Sequence, residues 1–174
     1  MNKIKSFFGI VFIALAFACE GPQGPSGFDG RDGEDGLDAP LTQVFQETVD
    51  FTYDIDNNIW RSNLLTYDGV VNGDVYLVYI SFENGFYTPL PASVFDEFGE
   101  FQYIFDHDVT SVELQIIGDS DLSGLDLAST EGIPVRVVIL PAELRAELSN
   151  VDVMNFESLM FKTGLDQGDI QLRN

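Results

Sequence analysis

The sequence predicts an all-β fold over residues 41–174: an antiparallel β-sandwich of about seven strands with one or two short C-terminal helices. Apolar and polar residues alternate along several short segments, turn residues separate these segments, and helical periodicity is scarce before residue 141. The chain is 45% hydrophobic and 13% aromatic, which is ample for a core. We therefore expect one globular domain in this region.

The strongest strand signals lie in the first half of this domain. Residues 44–53 alternate and place Phe45 and Val49 on one face, while residues 75–82 are apolar on both faces and predict a central strand buried on both sides. The pair Asn84-Gly85 predicts a hairpin turn, because both residues tolerate positive φ. The return strand over 86–90 should end at its prolines or lie at a sheet edge.

The second half of the domain continues the strand pattern and then turns helical. A long acidic loop is expected over residues 118–132, after a strand that places Val112 and Leu114 on one face. Asn155 and Gly164 are typical of the start and end of a short helix. The expected segments are strands at 59–65, 101–106, 109–117, 135–140 and 170–172 and helices at 141–148 and 155–162.

The N-terminus has the features of a signal peptide over residues 1–18. Lys3 and Lys5 form a basic start, and residues 6–17 are uncharged and mostly apolar, which is too short for a spanning helix of ~20 residues. The run 15–19 (Leu-Ala-Phe-Ala-Cys) resembles a bacterial lipobox. That resemblance implies lipidation at Cys19 and cleavage before it, the alternative being an uncleaved membrane anchor with a buried cysteine.

Residues 19–40 comprise Cys19 and the collagen-like spacer that follows it. Glycine recurs at every third position, as a triple helix requires. The later triplets are acidic and lack proline, so the favoured interpretation is an extended tether of ~50 Å on a monomeric protein, with a trimer as the alternative. The spacer glycines are Gly21, Gly24, Gly27, Gly30, Gly33 and Gly36.

These features together resemble the collagen-like-repeat lipoproteins of the Bacteroidota. The resemblance covers the lipobox, the Cys-Glu-Gly-Pro junction at residues 19–22, the Gly-x-x run and the β domain, including residues 103–107 and 135–142. It implies a cell-envelope protein anchored in the outer membrane, with the periplasmic or surface side left open. The family has no established activity, so the resemblance implies no catalytic residues.

Charge and composition exclude several classes of function. The full chain carries 29 acidic and 8 basic side chains, a formal charge of −21, so it offers no basic face for nucleic acid. A single cysteine and a single histidine exclude a disulfide framework and a Cys/His zinc site.

A weak calcium candidate lies in the acidic loop. Asp119, Asp121 and Ser123 occupy positions 1, 3 and 5 of an EF-hand-like loop with Gly124 at position 6. Position 12 is Thr130 where a bidentate glutamate is needed, and the flanks predict strands. No other cofactor is expected.

Two further candidate sites have structural explanations that we favour. His107 lies between Asp106 and Asp108, where a carboxylate could orient it as a general base, but we favour a polar strand-to-turn junction as the explanation. Trp60, Tyr67 and Tyr87 offer stacking surfaces for sugars, although aromatic residues at strand spacing usually belong to the core.

We therefore expect no enzyme and no catalytic residues, with an unidentified hydrolase as a distant alternative. The favoured function is structural or adhesive, with an unknown protein or glycan partner. The alternative is a small module that binds a glycan or a calcium-dependent ligand.

Lipidation at Cys19 gives the first testable prediction. Mass spectrometry of the membrane fraction should identify residue 19 as an acylated N-terminus, because two or more acyl chains anchor a protein stably. The Cys19→Ser variant should keep its signal peptide, and the processed, acylated form should be missing from the membrane fraction. A mature protein that begins at another residue would contradict the prediction.

Overall fold

A computed structural model describes residues 42–83, 85–96 and 99–173. Within these residues the chain forms eleven strands and four short helices, together with 3₁₀ turns at Leu122–Gly124 and Gln167–Asp169. The strands are β1 Gln43–Val49, β2 Phe51–Asp54, β3 Ile59–Ser62, β4 Leu65–Thr66, β5 Val75–Glu83, β6 Phe86–Pro89, β7 Ala92–Asp96, β8 Gly99–His107, β9 Ser111–Gly118, β10 Ile133–Leu140 and β11 Ile170–Leu172. The helices are α1 Leu127–Thr130, α2 Ala142–Glu147, α3 Asn150–Val153 and α4 Phe156–Thr163.

The predicted signal peptide, Cys19 and the spacer glycines lie outside the described residues. The described strands form two sheets. Sheet A has the order β11-β1-β10-β5-β6, and sheet B has the order β2-β3-β9-β8-β7 with β4 paired to β9. All pairs are antiparallel except β1 with β11, which is parallel. The predicted all-β sandwich is confirmed.

The chain passes from one sheet to the other at two places where the sequence predicts a single strand or a strand end. The alternating run over 44–53 divides at Asp50, with β1 in sheet A before it and β2 in sheet B after it. The Asp50 carboxylate accepts a hydrogen bond from the backbone N–H of Gly132 at 2.7 Å. The proline-rich end of β6 leads directly into β7, a strand that the sequence analysis missed. Such divisions raise the strand number above the expected seven.

The first apolar cluster fills the space between the sheets. It contains the inward residues that the alternation predicted, among them Phe45, Val49, Val112, Leu114 and Ile116. Burying these side chains contributes ~1.5–3 kcal/mol each to the free energy of unfolding. This cluster is the core of the sandwich.

A second apolar cluster covers the outer side of sheet A. Tyr79 of β5, which is 0% exposed, and Val138 and Leu140 of β10 pack there against Phe156 and Leu159 of α4. The hydroxyl group of Tyr79 donates to the carbonyl of Val153 at 2.7 Å, which joins the strand to the end of α3. The expectation that residues 75–82 form a strand buried on both faces is therefore confirmed.

Arg136 of β10 connects sheet A to the helices. Its guanidinium lies over the rings of Tyr87 and Phe156, at 3.9 and 4.4 Å from their centroids, and its Nε donates to Gln46 Oε1 at 3.0 Å. Cation–π contacts of this kind stabilise by ~0.5–2 kcal/mol. A charged side chain is thus accommodated within the second apolar cluster.

The C-terminal helices begin and end largely where the sequence predicts. The side chain of Asn155 accepts a hydrogen bond from the N–H of Ser158, and Gly164 closes α4 with φ of +71°. Pro141 occupies the N-cap position of α2 rather than the first helical turn. The additional helix α3 was missed; it is held by a capping box between Ser149 and Asp152.

The last strand is held at the edge of sheet A by Arg173. Its backbone N–H donates to Gln46 and its guanidinium donates to the carbonyl of Thr66 at 2.8 Å, beside Glu47 at 3.5 Å. Tyr67 donates to the same Glu47 carboxylate at 2.8 Å. The short β11 therefore has side-chain support beyond its backbone pairing.

The helical cover of sheet A generates the second prediction. Phe156→Ala should lower the free energy of unfolding by about 3–5 kcal/mol, because it leaves a cavity beside Tyr79 and removes the ring beneath Arg136. Urea denaturation of the purified protein measures this value. The matched control is Phe161→Ala on the same helix; Phe161 is 82% exposed, so this variant should change stability by less than about 0.5 kcal/mol. Equal losses in the two variants would contradict the role of the second cluster.

Candidate interaction surface

The outer side of sheet B differs from that of sheet A. Within the described residues, the second apolar cluster covers sheet A, and no comparable cluster forms on the outside of sheet B. The antiparallel register there places side chains in rows, with Ser93, Gln102 and Ile117 in one row and Ile104 opposite Gln115 in the next. We call this surface the open face.

A polar network orders one part of the open face. Arg61 contacts Glu113 at 2.7 Å and Asp54 at 3.7 Å, and the amide nitrogen of Gln115 donates to Glu113 at 2.8 Å and Asp106 at 3.0 Å. Gln115 is only 7% exposed, although it lies on the outside of the sheet. These contacts fix three neighbouring carboxylates, and a fixed polar surface loses little side-chain entropy when it binds.

A depression of about 510 Å³ lies where β8 begins and β9 ends. Glu100 and Gln102 line it from β8, Ile117 lines it from β9, and Asp119 and Ser120 line it from the following loop. The register places Phe95 of β7 directly opposite Glu100, and Phe95 is 74% exposed. The depression therefore combines oxygen ligands, an amide, an apolar side chain and a neighbouring aromatic ring.

The loop that forms one wall of the depression is held by Asn58. This residue has φ of +54°, its amide nitrogen donates to the carbonyl of Ser120 at 2.7 Å, and its Oδ1 accepts from the N–H of Leu122 at 2.8 Å. The indole N–H of Trp60 donates to the carbonyl of Leu122 at 2.8 Å. The wall is thus positioned by side chains from the β2–β3 hairpin.

Sequence reasoning missed the role of Asn58. The available signal was the turn sequence over residues 54–58, because asparagine tolerates the left-handed conformation and its side chain bonds nearby backbone. The partners at residues 120 and 122 are more than 60 positions away, so the pattern itself does not predict them.

The calcium candidates separate in the structure. Asp121 accepts a hydrogen bond from the backbone N–H of Ser123 at 2.9 Å and caps the 3₁₀ turn, and this bond lowers the pKa of Asp121 below its usual value. Asp119 instead lines the depression. In the part of the chain that the structure describes, no group of three or more histidine, cysteine, aspartate or glutamate residues is arranged to hold a metal.

His107 ends β8 at a polar turn. Its Nδ1 lies 3.1 Å from the carbonyl oxygen of Asp108, and its ring packs 5.0 Å from that of Tyr76. The Asp108 carboxylate accepts from the N–H groups of Thr110 and Ser111, and these bonds lower the pKa of Asp108. Asp108 therefore organises the turn that follows β8.

The three aromatic residues considered for sugar stacking do not lie together. Trp60 and Tyr67 belong to the core between the sheets, and Tyr87 lies in the second cluster under Arg136. The hypothesis that these three form one stacking surface is therefore wrong. Trp60 and Tyr67 face the space between the sheets and Tyr87 faces the helices, whereas Phe95 is exposed on an edge strand.

Comparison with known proteins adds no functional assignment. Searches against protein-family models, curated protein sequences and solved structures each returned no match. None of the described helices is long and apolar enough to cross a membrane. Function is therefore inferred from the sequence features and from the geometry of the domain.

The anchoring of the 118–124 loop generates the third prediction. Asn58→Gly retains a residue that accepts positive φ but removes the side-chain bonds to Ser120 and Leu122. The free energy of unfolding should fall by about 1–3 kcal/mol, and hydrogen exchange at the Leu122 amide should accelerate. Asn57→Gly in the same turn is the control, because the Asn57 side chain donates to Asp54 within the turn. Unchanged exchange at Leu122 in Asn58→Gly would show that the loop is held by other contacts.

Proposed function

We propose that this chain is a lipid-anchored protein of the bacterial cell envelope, in which a Gly-x-x spacer presents the sandwich domain to a partner. The order of its segments carries this proposal: a signal-like apolar run, a single cysteine at a lipobox-like end, six glycines in register and then a folded domain. The first described residue of that domain is Thr42, two positions after Pro40.

The position of β1 suits a domain that is held from its N-terminus. β1 lies inside sheet A, where it pairs with β10 over seven residues and with β11 on its other side. A pull on the spacer would therefore act on a strand with hydrogen-bonded neighbours on both sides, and not on a loose edge.

The charge of the domain suits a position away from the membrane surface. Residues 42–174 carry 23 acidic and 5 basic side chains, a formal charge of −18. Anionic lipid headgroups repel such a domain, and the repulsion falls off within about one Debye length, ~8 Å at physiological salt. A spacer of ~50 Å is long enough to place the domain beyond this range.

The open face is the surface on which we place the partner. Sheet A uses its outer side to bind the C-terminal helices, whereas the open face presents fixed polar groups together with Ile104, Ile117 and Phe95. We propose a structural or adhesive role for this contact and no catalytic role.

A ligand-capturing module is the second candidate function. The depression beside Asp119 favours it, because carboxylate, amide and hydroxyl groups meet there around an apolar side chain. In the calcium-dependent form of this function, Asp119 is the residue that would bind the ion, because Asp121 and Ser123 bond to each other in the adjoining turn.

Site-specific cross-linking on intact cells tests the open face as the contact surface. A photo-reactive amino acid at Ile104, in the middle of the open face, should yield a specific adduct. The same group at Val151, exposed on α3 at the helix-covered side, should yield none or far less. Adducts from Val151 alone, or from neither position, would reject the open face as the contact surface. Analysis of Cys19 tests the anchor separately.

A further inference from the structure

We infer that the depression at the start of β8 and the end of β9, with Phe95 on the neighbouring strand, is a binding site for a neutral oligosaccharide. The inference deepens the proposed function, on which it rests, by giving the chemical class of ligand that the open face takes. The site combines Asp119, which the calcium hypothesis included, with Phe95 and Glu100, which neither the calcium hypothesis nor the three-aromatic hypothesis included.

The aromatic ring is the first component of the site. Phe95 and Ser93 point outward from β7, because Ala92 and Val94 on the same strand point into the core. Phe95 is 74% exposed at the sheet edge. The flat face of a phenyl ring matches the apolar C–H face of a pyranose, and burying both surfaces is favourable.

The oxygen groups are the second component. Glu100 is directly opposite Phe95 in the β7–β8 register, and Glu100 and Asp119 line the same depression. Carboxylates accept strong hydrogen bonds from hydroxyl groups. Glu100 beside the Phe95 ring and Asp119 in the adjoining depression thus provide acceptors for the hydroxyl groups of a sugar that is stacked on the ring.

Preorganisation is the third component. The amide nitrogen of Gln102 donates to Ser93 Oγ at 2.9 Å, which orients the amide along the row. On the opposite wall, the Asn58 amide nitrogen donates to the carbonyl of Ser120 and holds that residue in place. Walls that are already ordered lower the entropic cost of binding a ligand.

Charge decides between classes of ligand. The described residues that line the depression include two carboxylates and no arginine or lysine, and residues 42–174 carry a formal charge of −18. Phosphorylated, sulfated, sialylated and uronic-acid ligands are therefore repelled. An apolar peptide would bury the carboxylates without partners, at a cost of several kcal/mol per charge. A neutral polyhydroxylated ligand satisfies both the ring and the carboxylates.

The test uses the full-length protein purified in mild detergent. The probes are an array of neutral gluco-, galacto- and manno-oligosaccharides with their N-acetyl forms, alongside uronic-acid and sialylated counterparts. Binding should appear on neutral probes only and should persist in EDTA. Calorimetry should then show that Phe95→Ala binds the best neutral probe at least about tenfold more weakly than the original protein does. Phe95→Trp should retain the original affinity.

Matched variants separate the site from general effects. Phe161→Ala removes an equally exposed phenylalanine on α4, and Asp68→Asn removes an exposed carboxylate at another position; both should bind as the original protein does. Asp119→Asn should weaken binding through the lost charge-assisted hydrogen bond. Thermal unfolding of each variant verifies that it is folded.

Several outcomes would overturn the inference. These are the absence of binding to any neutral probe, preference for acidic probes, loss of binding in EDTA, or full affinity in a folded Phe95→Ala protein. Cross-linking from Ile104 to a protein with no glycan bound would leave the proposed contact surface intact while rejecting the sugar ligand. Failure of the Ile104 cross-link together with retained glycan binding would reject the partner contact instead.

Discussion

The burial of sheet A on both sides is the constraint on which the rest of the structure depends. Strands β5 and β10 carry apolar residues on both faces, so a two-layer sandwich would leave Tyr79, Val138 and Leu140 in water. The C-terminal helices remove this surface, and Phe156 and Leu159 supply the apolar side chains that meet it. This arrangement occupies one outer side of the molecule and leaves the outside of sheet B available for another contact.

The scarcity of positive charge is the second constraint, and it determines how the cations are used. Arg136 and Arg173 lie against aromatic rings and join the C-terminal segment to the sheets, and Arg61 joins carboxylates on the open face. Stacked guanidinium groups bind through both their planar faces and their N–H donors, which lysine cannot reproduce. With these arginines committed to structure, the described residues that line the depression beside Asp119 include no cation, and this disfavours anionic ligands.

Local patterns in the sequence predict much of the fold. The two-residue alternation identifies the inward side chains of β1, β2 and β9, the doubly apolar runs identify β5 and β10, and Asn155 with Gly164 delimits α4. The alternation does not reveal that the chain changes sheets at Asp50, because Val49 and Phe51 face the same core from different sheets. The strand β7 was missed because its short run lies between prolines and a turn, where the pattern is weak.

The candidate site was largely beyond sequence prediction, for a physical reason that also bears on function. The aromatic ring comes from β7, the carboxylates come from β8 and the loop after β9, and the anchoring Asn58 comes from the β2–β3 turn. Only the pairing of strands and the Asn58 bonds to a distant loop bring these groups together. The spacing grouped Asp119 with Asp121 and Ser123, and in the structure Asp119 lines the depression while Asp121 accepts a hydrogen bond from Ser123 in the following turn. Because a folded edge strand presents Phe95 and a long-range hydrogen bond holds Ser120, the integrity of the sandwich and the shape of the site are coupled. Loss of the loop anchor should therefore alter ligand contact before it unfolds the core.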